Sequence, residues 1–144
     1  MIRRSRLLLA SLSAVWVVMV LACGGGSGGG RLSVEVVDTR LEPVRTAEGL
    51  DTKMVYIDWK NTGNRPVRAV YAKVYGFDEQ GNEVDVMPVP SYSIYAVFNG
   101  DPGIAPGETY HEPKGEGLFV PPKLPKMPTR VSVTITKVEE KGME

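Results

Sequence analysis

From Leu32 onward, apolar residues recur at every second position, and that period restricts the chain to extended strands. Leu32, Val34 and Val36 alternate with Ser33, Glu35 and Val37. The same holds for Val55, Ile57 and Trp59 against Tyr56, Asp58 and Lys60, and for Val131, Val133 and Ile135 against Ser132, Thr134 and Thr136. Because side chains on a strand point to opposite faces in turn, each set implies one buried face and one wetted face. The longest run, residues 67–77, carries Val70, Ala72 and Val74 on one side and Tyr71, Lys73 and Tyr75 on the other; the valine side is expected in the core. Shorter strands are expected over residues 83–87 and 91–98. No helical pattern follows residue 30.

Turn chemistry separates these runs. Asn61-Thr62-Gly63-Asn64-Arg65-Pro66 joins the tryptophan strand to the long one, and Asp78-Glu79-Gln80-Gly81-Asn82 closes the next hairpin. Residues 113–128 hold five prolines (Pro113, Pro121, Pro122, Pro125 and Pro128), which lack ladder donors, so this segment is expected to be a long extended loop. Residues 31–144 have the size of one domain. The expected fold is all-β: an immunoglobulin-like antiparallel β-sandwich of about seven strands, with a closed barrel as the alternative.

The amino terminus has a different character. Arg3, Arg4 and Arg6 precede an uncharged, mostly apolar run from Leu7 to Ala22, the pattern of an export signal with a helical hydrophobic segment. The run is short for a membrane span, which needs roughly 20 residues, and it ends at Cys23 followed by glycines. Met19-Val20-Leu21-Ala22-Cys23 resembles the lipobox of bacterial lipoproteins, with Leu21 where a smaller residue is commonest. That resemblance implies removal of residues 1–22, a diacylglyceryl group on the Cys23 thiol and membrane lipid as a partner. Gly24, in place of an aspartate, implies the outer membrane if the host is Gram-negative. An uncleaved signal anchor and a secreted protein with a spare thiol are the alternatives.

Gly24-Gly25-Gly26-Ser27-Gly28-Gly29-Gly30 completes a linker over residues 23–30. No Lys-Ser or Lys-Thr follows, so it is a tether rather than a phosphate loop, and no cofactor is expected. Its average span is about 13 to 16 Å. The folded part therefore sits close to the bilayer.

Within the domain, Lys60-Asn61-Thr62-Gly63, the valine-rich strand, Phe77-Asp78-Glu79-Gln80-Gly81 and Ala105-Pro106-Gly107-Glu108-Thr109 together resemble FxLYD-type domains of bacterial envelope proteins. Val74, Gly76 and Phe77 stand where that family favours Phe, Leu and Tyr, and Asp78 agrees with it. The resemblance implies an extracytoplasmic binding or spacer module with no shared catalytic residues.

The chemistry available is narrow. A single cysteine excludes an intrachain disulfide and a multi-cysteine zinc site, and a single histidine, His111, excludes the two- and three-histidine catalytic metal sites. With Arg3, Arg4 and Arg6 set aside, 14 Lys+Arg face 17 Asp+Glu, which gives no reason to expect a nucleic-acid partner. His111 is expected on the surface or in a turn, and its replacement by Ala is expected to leave folding intact. Asp78, Gln80 and Asn82 place oxygens as a calcium loop would, but Glu83 and Val89 stand where that motif needs Gly and Glu, so a solvated turn is expected. Glu139-Glu140-Lys141 is expected to be a charged tail.

The aromatic residues remain. Tyr71, Tyr75, Tyr92 and Tyr95, if exposed together, form a surface suited to a glycan or an envelope protein; the competing expectation is that the second sheet or the proline segment covers them. The function expected is a non-catalytic, membrane-anchored envelope module that binds or supports another component. A carbohydrate-binding module for peptidoglycan or exopolysaccharide is the alternative.

Overall fold

A computed structural model describes residues 30–87, 92–98 and 103–140. The expected helical signal segment, Cys23 and nearly all of the linker lie outside the described residues, as do Ser91 and Lys141. The elements are β1 (Val34–Arg45), β2 (Asp51–Asn61), β3 (Ala69–Phe77), β4 (Glu83–Val84), β5 (Tyr92–Val97), β6 (Thr109–Tyr110), β7 (Leu118–Val120) and β8 (Arg130–Glu139). All pairings are antiparallel. In one sheet β2 lies between β1 and the short strands β6 and β7; in the other β3 lies between β8 and the pair β4 and β5.

The two sheets pack as a sandwich through the faces that the alternation marks. Val55, Ile57 and Trp59 of β2 meet Val70, Ala72 and Val74 of β3, and all six are buried. Trp59, 1% exposed, lies edge-on to Phe98 with ring centroids 6.2 Å apart. Edge-to-face geometry sets the positive ring edge against the negative π face, which adds to the gain from burial.

Two bulges shift the simple alternation. In β1 the register slips between Val36 and Asp38, so Val36 pairs with Trp59 while Thr39 pairs with Ile57. The inward set changes from Leu32, Val34 and Val36 to Thr39 and Leu41, and Val37 is left 40% exposed. In β8 the slip lies opposite Tyr71 and Ala72, which turns Val138 inward after Val131, Val133 and Ile135.

The expected extended loop over residues 113–128 contains a strand. Leu118, Phe119 and Val120 lie between its prolines with free backbone groups, and they pair with Val55, Met54 and Lys53. The expected strand over residues 83–87 shortens to Glu83–Val84. The charged tail is likewise partly built in: Glu139 ends β8 and Glu140 forms an ion pair with Arg65.

Asn61 fastens the end of the sandwich from which the linker leaves. Fully buried, its Nδ2 donates to the carbonyls of Arg65 at 2.7 Å and Ile104 at 2.9 Å, and its Oδ1 accepts from Gly63 N at 2.9 Å. Beside it the backbone N–H of Arg31 donates to Asn64 Oδ1 at 2.6 Å. A buried amide with its donors and acceptor satisfied ties two loops together, the turn after β2 and the segment before β6.

Candidate functional site: a strapped polar cluster and a tyrosine face

Tyr56 and Asp58 point away from the core, since they alternate with Val55, Ile57 and Trp59, yet they are only 3% and 6% exposed. Residues 111–117, leaving β6, fold over them as a strap. Asp58 is the centre of the attachment. Its Oδ1 accepts from Arg40 Nη2 at 2.9 Å and from the backbone N–H of Glu112 at 3.3 Å, while its Oδ2 is 2.7 Å from His111 Nδ1. Further along, Glu112 Oε2 accepts from Ile57 N at 2.8 Å and the Tyr56 hydroxyl accepts from Gly115 N at 3.0 Å. The Arg40 guanidinium lies 5.5 Å from the centre of the Tyr56 ring. Gly117 closes the strap against β2, where a Cβ would stand 2.4 Å from the Val55 carbonyl oxygen.

The two carboxyls respond in opposite directions. Burial alone raises the pKa of Asp58, but the bonds from His111, from the Glu112 amide and from Arg40 outweigh it and hold the group below its ordinary value. Burial pushes Glu112 up, and its single backbone donor from Ile57 does not compensate. An Nδ1–H donated to Asp58 leaves Nε2 of the neutral imidazole as an acceptor facing water, and the side chain is 72% exposed. His111 is thus a surface residue, as expected, but one tied to a buried carboxylate 53 positions away.

A hollow of about 190 Å³ opens beside the strap, lined by Arg40, Glu42, Tyr56, Glu112 and Lys114. None of the five is Ser, Thr or Cys, and the Tyr56 hydroxyl already accepts from the backbone of the strap. The arrangement can hold a loop and orient an imidazole. Asp58, Arg40, Tyr56 and Glu112 gave no local signal in sequence, since each is an ordinary wetted-face residue until the strap arrives.

The four tyrosines divide between two faces. Tyr71 pairs with Tyr95 and Lys137, and Tyr75 with Ser132, so these three tyrosines share the outer face of the β3 sheet. Tyr92 pairs with fully buried Val74 and lies on the inner side. Tyr71 and Tyr95 stack on each other with centroids 4.5 Å apart and planes tilted 36°, and the Lys137 ammonium sits 5.2 Å from the centre of the Tyr71 ring. All four tyrosines are half-buried.

The Asp78 hairpin is closed by its own donors. The Asp78 carboxylate accepts from Gln80 N at 3.0 Å, Asn82 N at 2.8 Å, the Asn82 amide and Lys126 Nζ at 3.1 Å. Asp78 is 8% exposed and anchors the turn, while residues 79–83 are exposed to solvent. Among the described residues no group of three or more His, Cys, Asp or Glu is placed to hold a metal ion.

Compared with protein families, with curated proteins and with solved structures, the chain finds no match.

Proposed function

We propose that this chain is a lipid-anchored protein of the bacterial cell envelope, held outside the cytoplasm by an acylated Cys23. Its sandwich acts without catalysis as a binding or structural module for another envelope component. Gly24 after the cysteine supports delivery to the outer membrane where the host has one. The observation that carries the non-catalytic part is the use made of the most polar spot: Asp58, Arg40, Glu112 and Tyr56 spend their bonds on fastening residues 111–117 to β2. Tyr71 and Tyr95 lean on each other rather than presenting one plane, which supports a scaffold more than a sugar-stacking row.

Intact-mass measurement of the protein from membranes of its producing cells tests the anchor. The expected result is a chain beginning at Cys23 and carrying two or three acyl groups; an unmodified cysteine would refute it. In-cell crosslinking from the strap is expected to capture another envelope protein, whereas retention on peptidoglycan would favour the sugar-binding role.

A further inference from the structure

The two outer faces of the sandwich differ in charge. On the β1–β2 sheet, Glu35, Asp38 and Glu42 face outward against Arg40 and Lys60, with Asp58 buried beneath the strap, an acidic balance. On the β3 sheet, Lys73, Arg130 and Lys137 face outward against Glu83 and Glu139, with Lys137 ion-paired to Glu139, which leaves a net of one positive charge. The basic face is also the aromatic face. Besides the Tyr71–Tyr95 stack it carries Val97, 45% exposed and two positions from Tyr95, and Phe77 with the Arg130 guanidinium 4.7 Å from its ring centre.

The linker leaves from the same end. Arg31 is bonded to Asn64 in the turn that precedes β3, and Arg68 N donates to the carbonyl of Glu139. Tyr71, Val97 and Lys137 thus lie near the exit of the linker and Arg130 lies at the far end. Packed sheets are about 10 Å apart, and seven residues can span at most about 25 Å. A lipid at Cys23 therefore leaves enough chain for the β3 face to lie flat on the bilayer. Tyrosine rings partition to the headgroup level, and lysine and arginine are drawn to anionic lipid.

We infer that the outer face of the β3 sheet, through Tyr71, Tyr95, Val97, Lys73, Lys137 and Arg130, docks on the anionic lipid surface to which Cys23 tethers the chain. This rests on the lipid-anchor reading above. It fixes an orientation: the acidic face and its strap turn toward the rest of the envelope, where the partner is met.

The test uses the acylated protein in phosphatidylethanolamine–phosphatidylglycerol vesicles, with a fluorophore on a single introduced cysteine, Val97→Cys or Lys114→Cys. Acylation of Cys23 leaves no competing thiol. A water-soluble quencher is expected to reach position 97 several-fold more slowly than position 114, and the difference is expected to vanish in detergent. Lys73→Gln and Lys137→Gln are each expected to lower the docked-to-undocked ratio about fivefold, with Trp59 emission confirming that the variants are folded. Equal quenching at both positions on an acylated chain overturns the docking alone, as does a difference that persists unchanged in phosphatidylcholine vesicles. An intact mass without acyl groups overturns both the docking and the anchor.

Discussion

The carboxylate of Asp58 and the imidazole of His111 meet at 2.7 Å on the outer face of a sheet, one side chain 8% exposed and the other 72%. The asymmetry decides what each contributes. Asp58 accepts three separate donors in a place where water does not replace them, whereas His111 loses little by returning to solvent.

Asp58→Ala is therefore expected to destabilise the domain by about 1–3 kcal/mol, because Arg40 and the Glu112 amide lose their acceptor. His111→Ala is expected to cost less than about 1 kcal/mol, since the exposed imidazole gives up a single hydrogen bond. Urea midpoints of the two variants check the order, and equal losses would contradict it.

Acid is expected to act through Asp78. Its bonds from the Asn82 side chain outweigh the burial that opposes them, and with the Asn82 amide and Lys126 they hold its pKa at about 2, against an ordinary 3.8. A group whose folded pKa is depressed contributes stability above its unfolded pKa and loses it as pH falls toward the folded one. Asp58 has the same sign. Glu112, raised by burial, has the opposite sign and favours the folded state slightly on mild acidification. Urea midpoints are expected to hold down to about pH 5 and to fall between about pH 4 and 2. Asp78→Asn should flatten that fall; a variant that tracks the parent curve in parallel would show that other groups govern it.

Gly117→Ala is expected to loosen the strap. The added Cβ would lie 2.4 Å from the Val55 oxygen and 3.0 Å from Met54 Cγ and Tyr56 Cδ1, and backbone oxygen on a central strand cannot retreat. The expected loss is about 1–3 kcal/mol. Faster hydrogen exchange at Gly115, whose N–H is held by the Tyr56 hydroxyl, should accompany it.

Trp59→Ala is expected to cost about 3–5 kcal/mol, since it removes the largest fully buried side chain and one of the two ring contacts of Phe98, the other being Tyr110. In a chain beginning at Cys23, Trp59 is the only tryptophan, so its emission reports core unfolding directly. A red shift on denaturation that coincides with loss of strand signal is expected of one cooperative unit.

The parts of the fold that sequence reveals are those where β-branched residues repeat at period two over several positions, as at Val70, Ala72 and Val74, because burial of one face demands that repeat. The bulge at Val37 is hidden, since an extra residue in a strand leaves no compositional mark and only the partner strand shows it. β7 is hidden for a related reason: three residues between prolines are too few to display a period. The Asp58 cluster is hidden because burial of Tyr56 and Asp58 comes from a segment more than 50 positions away. The tyrosines were visible as residues, but their division between faces was set by which positions of β5 align with β3.

The long outer margin of β1 carries both the bulge at Val37 and Pro43, which has no N–H to give. On the proposed anchor, copies sharing one membrane would meet at high two-dimensional density, the condition under which a straight, unbroken margin would let neighbours zip together into fibrils. A kink and a missing donor on that margin deny them a common register. The cost in regularity to one molecule would keep such a population dispersed.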